Sequence, residues 1–169
     1  MAASTVANSD SFEVTTPSDR EIQLTRLFDA PRHLVFEALT KPEHITQWWG
    51  RLGEGYSVPE CEIDLRPGGA WRFVNRTPKG TLAVFYGVFR EIAPPARMVY
   101  TEIFEPFPDV GSVVTAVLTE EDGKTRLTLT ALYPSLEVRD SVLESGMEDG
   151  AAVSYDRLEE VATGLQGPS

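Results

Sequence analysis

The chain has 169 residues, a length that suits one domain with a real core and cramps two. Its 26 acidic and 15 basic residues leave a net charge of −11, which argues against the basic stripe that phosphate binding requires and against attraction to an anionic membrane surface. Cys61 is the only cysteine, so no internal disulfide can form, and 41% apolar with 24% charged residues excludes a disordered or collagen-like chain.

Residues 1–18 are rich in Ser, Thr and Ala and show no sustained periodicity, so a flexible N-terminal tail is expected there. Met1 to Asp10 lacks the charged and apolar regions of a secretory signal, and no apolar run approaches the ~20 residues a membrane helix needs, so the expected location is cytoplasmic. From Arg20 to Phe28 the pattern alternates, with Ile22, Leu24 and Arg26 on one face, which predicts a strand. Asp29-Ala30-Pro31 ends it and opens a helix whose apolar stripe is Leu34, Val35, Ala38 and Leu39. Pro42 opens a second short helix with Ile45, Trp48 and Trp49 on its apolar side.

Six further strands are predicted at about 56–65, 70–76, 81–92, 97–104, 112–120 and 125–132. The segments between them are short and rich in turn formers, with Asp122-Gly123 the strongest hairpin signal. Connections that short imply antiparallel neighbours. A long helix follows from Leu136 to about Thr163, with Leu143, Met147, Ala151, Tyr155, Leu158 and Val161 at helical spacing and with Gly146 and Gly150 as points where it can kink or split. Its eight acids against two arginines are read as an outer, solvated face. One domain is expected over 19–163, followed by a short tail over 164–169. The fold class is α+β: a curved antiparallel sheet of about seven strands around a long C-terminal helix, with two short helices after the first strand.

Few residue patterns in the chain point to catalysis. His33, His44 and Cys61 do not make a metal set, and no Gly-x-Ser-x-Gly turn is present. Gly123-Lys124-Thr125 imitates the end of a phosphate loop, but it lies between strands and is read as a hairpin turn. Cys61 is flanked by Glu60 and Glu62, the wrong neighbours for a reactive thiol. Glu102, between Thr101 and Ile103, is the best candidate for an inward acid, although an outward strand residue is the simpler expectation. No catalytic residue, metal or cofactor is assigned.

Several words in order carry a resemblance: Ala30-Pro31-Arg32-His33-Leu34-Val35-Phe36-Glu37-Ala38-Leu39-Thr40, Trp48-Trp49-Gly50, Asp64-Leu65-Arg66-Pro67-Gly68-Gly69, Pro95-Ala96-Arg97-Met98-Val99-Tyr100-Thr101-Glu102, the run from Gly123 to Thr130, and Gly146-Met147-Glu148-Asp149-Gly150. Over about residues 20–163 the chain resembles the homologues of the activator of heat shock protein 90 ATPase, within the SRPBCC (START-like, helix-grip) superfamily. The resemblance implies a sheet gripping the C-terminal helix, with a cavity between them for apolar or amphipathic ligands. It transfers no catalytic residue. Members often place a Trp soon after the Gly-Met-x-x-Gly word, where this chain has Ala151-Ala152-Val153, so extra room is expected there.

On that fold the expected ligand-binding residues are Trp49, Trp71, Phe73, Tyr86, Met98, Tyr100, Met147, Ala151 and Tyr155. Alternation alone does not decide which strand face meets the helix. The inward set is taken as Trp71 and Phe73, then Leu82, Val84, Tyr86 and Val88, then Met98 and Tyr100. The leading expectation is non-catalytic binding of a small apolar or amphipathic molecule. A cyclase- or hydratase-type enzyme using Glu102 and a tyrosine is the rival, and a chaperone-linked interaction module with a role in stress response is the third reading.

Overall fold

The computed structural model describes residues 12–166. Eight strands form a single antiparallel sheet in the order β1-β2-β8-β7-β6-β5-β4-β3. They are β1 (Glu13–Thr15), β2 (Glu21–Phe28), β3 (Ser57–Ile63), β4 (Ala70–Arg76), β5 (Leu82–Ala93), β6 (Arg97–Phe104), β7 (Ser112–Glu121) and β8 (Lys124–Leu132). The helices are α1 (Arg32–Thr40), α2 (Pro42–Trp48), α3 (Leu136–Glu144) and α4 (Met147–Gly164).

β2 shows why its residues make a strand: Ile22, Leu24, Arg26 and Phe28 are buried, and the residues between them are not. At the Asp122-Gly123 turn both residues adopt positive φ, 54° and 80°, and Glu121 pairs directly with Lys124. That is the two-residue hairpin whose backbone twist matches the flanking strands. α1 and α2 are tied together by the Trp48 indole, which donates to the Ala38 carbonyl at 2.8 Å.

Glycine has two different uses in the β3–β4 connection. Gly68 has a φ of 85°, which a side chain resists. Gly69 lacks positive φ; a Cβ there would overlap the Asp64 carbonyl oxygen, so the requirement is close backbone approach.

The long C-terminal helix is two helices. Ser135 caps α3 by accepting from the Val138 amide, and Gly146, with a φ of 87°, breaks the run before α4 begins. α4 reaches the sheet through β2. Arg26, 1% exposed, donates to Asp156 at 2.7 Å and to Glu159 at 2.8 Å, and lies over the Phe28 ring. The expectation that the acids of this helix form an outer face is therefore corrected for these two. Asp156 and Glu159, three apart, share the inward side because a buried guanidinium waits there.

The expected tail over 1–18 also needs correction. Residues 1–11 lie outside the described residues, but Glu13–Thr15 pairs with β2 from Thr25 to Gln23. Phe12 sits edge-on to Tyr155, with ring centroids 5.9 Å apart. Three paired residues are too short a run to register as periodicity. At the other end, α4 extends through Gly164 and half-buried Leu165 packs against the core, so the expected C-terminal tail begins later; residues 167–169 lie outside the described residues.

Candidate functional site

The inner face of the sheet is a set of side-chain rows fixed by strand register. Directly opposed residues share a face. One row runs Phe73, Phe85, Phe104 across β4, β5 and β6. Another runs Tyr100, Val114, Ala131, Ile22 across β6, β7, β8 and β2, and a third runs Met98, Ala116, Leu129, Leu24. Between these rows and the helices lies a cavity of about 980 Å³. That is at the upper end of the size of small-molecule sites. Its helical wall comes from α2, α3 and α4, including Trp48, Val142, Met147, Ala151 and Tyr155.

Eight of the nine residues expected from sequence line this one cavity: Trp49, Trp71, Phe73, Met98, Tyr100, Met147, Ala151 and Tyr155. Tyr86 does not. It pairs with Arg72 and Ile103 on the opposite face, so the inward residues of β5 are Ala83, Phe85 and Phe89. Leu82 and Val88, also taken as inward, are exposed. Both alternations of β5 are apolar, which is why periodicity could not choose between them. The usable signal was Gly87. A glycine inside a strand marks a close approach, and a Cβ on Gly87 would meet the Trp71 indole nitrogen at 2.8 Å and overlap the Thr101 carbonyl. The indole crosses the strand there and donates to the Thr101 carbonyl at 3.0 Å.

The aromatic wall is continuous. Trp49 meets Phe73 and Phe85 edge-on at 5.2 Å each. Trp71 packs on Phe73 at 4.8 Å and on Tyr100 at 5.8 Å, and Phe85 stacks on Phe104 at 4.8 Å. Edge-on and offset geometries of this kind are the favoured ones for rings. Leu52, Phe104, Phe107 and Val110 line the cavity and are exposed, which places them at its rim. Asn75 holds the chain at the end of α2 by donating to the Gly50 carbonyl at 2.9 Å.

Glu102 also lines the cavity, contrary to the simpler expectation that it points outward. Burial pushes its carboxyl up to about 7. The same burial, with the charge of Glu102 nearby, pushes the Tyr100, Tyr133 and Tyr155 hydroxyls well above the ordinary phenol value. Among the described residues, none of these four side chains has a hydrogen-bond partner in the protein, and all four line the cavity. Tyr133 is an addition to the expected set; it follows the end of β8 and carried no signal in the strand pattern. Cys61 lies on edge strand β3, its thiol pushed up to about 11 by burial, which removes it from nucleophilic chemistry at neutral pH. Among the described residues no three His, Cys, Asp or Glu side chains converge as a metal site. Among the described residues no helix is long and apolar enough to cross a membrane.

A curved antiparallel sheet held against a long helix, with an aromatic cavity between them, defines the helix-grip class of α+β domain. Residues 29–163 match the family described as Activator of Hsp90 ATPase homolog 1-like protein, and the chain belongs to that family. Solved structures agree with the fold. A protein from Rhodobacter sphaeroides is similar with a TM-score of 0.85 and 26% identity, over 92% of this chain and 100% of that one. One from Nitrosomonas europaea gives 0.79 and 26%, over 89% and 99%. One from Mycobacterium smegmatis gives 0.78 and 26%, over 88% and 94%. No curated protein matches the sequence.

Proposed function

We propose that this protein binds a small apolar or amphipathic molecule in the cavity between the sheet and helices α3 and α4. The observation that carries the reading is the cavity itself, about 980 Å³ walled by aromatic and aliphatic side chains with a few polar tips. Protein interiors hold few voids larger than a water molecule, so an apolar-walled volume of this size supports a binding role. Ala151 on α4 supports the same reading, since a small residue stands where the helix faces the open space. The test is native mass spectrometry of the freshly purified protein for a co-purifying small molecule, together with titration of a fluorescent apolar probe. Ala151→Trp thrusts a ring into the space beneath α4 and is expected to weaken probe binding while the far-ultraviolet circular dichroism is retained. A variant that binds the probe as well as the parent removes the cavity from the account.

One observation favours a second reading, an enzyme of cyclase or hydratase type. An acid poised at about 7 beside three tyrosines has the affinity a general acid–base group needs near neutral pH. Conversion of the co-purified molecule by the parent, lost in Glu102→Gln without loss of binding, selects this reading. A chaperone-linked role is supported only by the family's description.

A further inference from the structure

We infer that the cavity selects its guest by charge, taking an amphiphile with a protonated amine head seated at Glu102 in preference to a carboxylate of the same chain length. The inference rests on the binding reading above and deepens it. Among the described residues the lining holds two ionisable acids, Glu102 and Glu137, and not one Lys, Arg or His. A fatty-acid anion entering such a lining finds no cation to pair with, and its own charge opposes ionisation of Glu102. An ammonium group finds the opposite.

The polar end of the cavity has the matching hydrogen-bond chemistry. Glu102 on β6 and the hydroxyls of Tyr100, Tyr133 and Tyr155 are without protein partners among the described residues, yet all border the cavity. These polar tips face the cavity without protein partners, so a guest that enters it can pair with them in place of water. An ammonium carries three N–H donors and no acceptor, and a carboxylate with phenol oxygens supplies acceptors for all of them. Around this end Tyr100 packs edge-on to Trp71 at 5.8 Å and to Phe89 at 5.9 Å, and electron-rich rings of this kind favour a cation over an anion. The alkyl or aryl remainder then lies along the Phe73, Phe85, Phe104 row.

The charged groups that face Glu102 are accounted for from each wall. Its own strand brings Tyr100, the end of β8 brings Tyr133, α4 brings Tyr155, and α3 brings Glu137 at the rim. Arg26 acts by its charge on Tyr155, and it is engaged under α4 by Asp156 and Glu159. With no compensating cation, burial keeps Glu102 largely protonated up to about 7. An ammonium guest reverses that balance, so its binding near neutral pH releases a proton from the carboxyl to buffer. The chain's net charge of −11 steers the same guest towards the protein.

The experiment titrates the full-length protein, loaded with neutral N-phenyl-1-naphthylamine, with decylamine, 1-decanol and decanoate below their micellar concentrations. Decylamine is expected to displace the probe at a concentration about tenfold or more below decanoate, the ratio a single charge-assisted hydrogen bond supports. Calorimetry in buffers of different ionisation enthalpy is expected to show proton release with decylamine and none with decanol. In Glu102→Gln the amine preference and the proton release both disappear. Equal or better binding of decanoate overturns the charge inference, and displacement by decanol in that case leaves the binding reading standing. Retention of the full amine preference by Glu102→Gln also overturns it. Failure of the probe and all three compounds to bind removes both. The parent's amine-to-carboxylate ratio and proton count decide the matter even where the variant folds poorly.

Discussion

Replacing Arg26 by Met tests how α4 is held to the sheet. The guanidinium is 1% exposed and Glu159 is 8% exposed at the side chain, so their 2.8 Å contact is a buried ion pair and not a surface one. Removing one partner of such a pair leaves a charge in a low-dielectric site, which costs about 3–5 kcal/mol. Replacing both by apolar groups of similar volume removes the desolvation penalty along with the attraction and is often neutral. Arg26→Met is therefore expected to lose about 3–5 kcal/mol in urea unfolding at neutral pH, with the slope unchanged. Arg26→Met combined with Glu159→Leu recovers most of that loss. A single-variant cost below about 1 kcal/mol, the surface-pair range, or a double variant no better than the single, refutes the reasoning.

Three further outcomes follow from named contacts. Glu102 is raised from its ordinary 4.5 to about 7, so the unfolded state loses this proton first; the cost is absent below pH 4.5, grows as pH rises and is complete above about 7. Glu102→Gln removes that slope and, since the cavity opens to water, gains on the order of 1–3 kcal/mol at pH 8, read as unfolding midpoints across the window; a variant that keeps the parent's slope contradicts it. Gly87→Ala drives a Cβ into the Thr101 carbonyl and the Trp71 indole, and is expected to cost about 1–3 kcal/mol and to alter tryptophan emission, with an unchanged spectrum counting against the contact. The Cys61 thiol, pushed up to about 11, is expected to react with a disulfide reagent well over tenfold more slowly than free cysteine at pH 7.5, and a matching rate refutes the burial argument.

The sequence was most legible where one face of an element is apolar and the other is not. β2 alternates cleanly and carries its burial pattern on the surface of the sequence. Turn chemistry did the same for the hairpins, with Asp122-Gly123 placing a two-residue loop to the residue. The hydrophobic pattern of β5 was illegible because Leu82, Val84, Tyr86 and Val88 compete with Ala83, Phe85 and Phe89 on equal footing; Gly87 is the one residue that marks the inward face, and register with β4 and β6 separates the two sets. Arg26 and its two acids were illegible for a different reason. A charged side chain on an inward position is readable only through partners 130 and 133 residues away, on an element that looks like an ordinary solvated helix. Glu102 shows the same limit, since whether an acid in a strand faces water or a cavity depends on which sheet face the helices cover.

Among the described residues the sheet is open and ends in two strands that pair on one side only. On one side stands β3, where Pro59 lacks a donor and exposed Glu60 and Glu62 discourage a second chain from adding on. On the other stands β1, only three residues long. Behind it lies β2, eight residues of unbroken pairing potential with no proline in it. The short strand acts as a cover for that longer edge. Cutting the chain back to Ser18 would strip the cover and present β2 as a template for intermolecular strand addition, so a truncation that looks harmless in the amino-acid sequence trades an ordered edge for an aggregation-prone one.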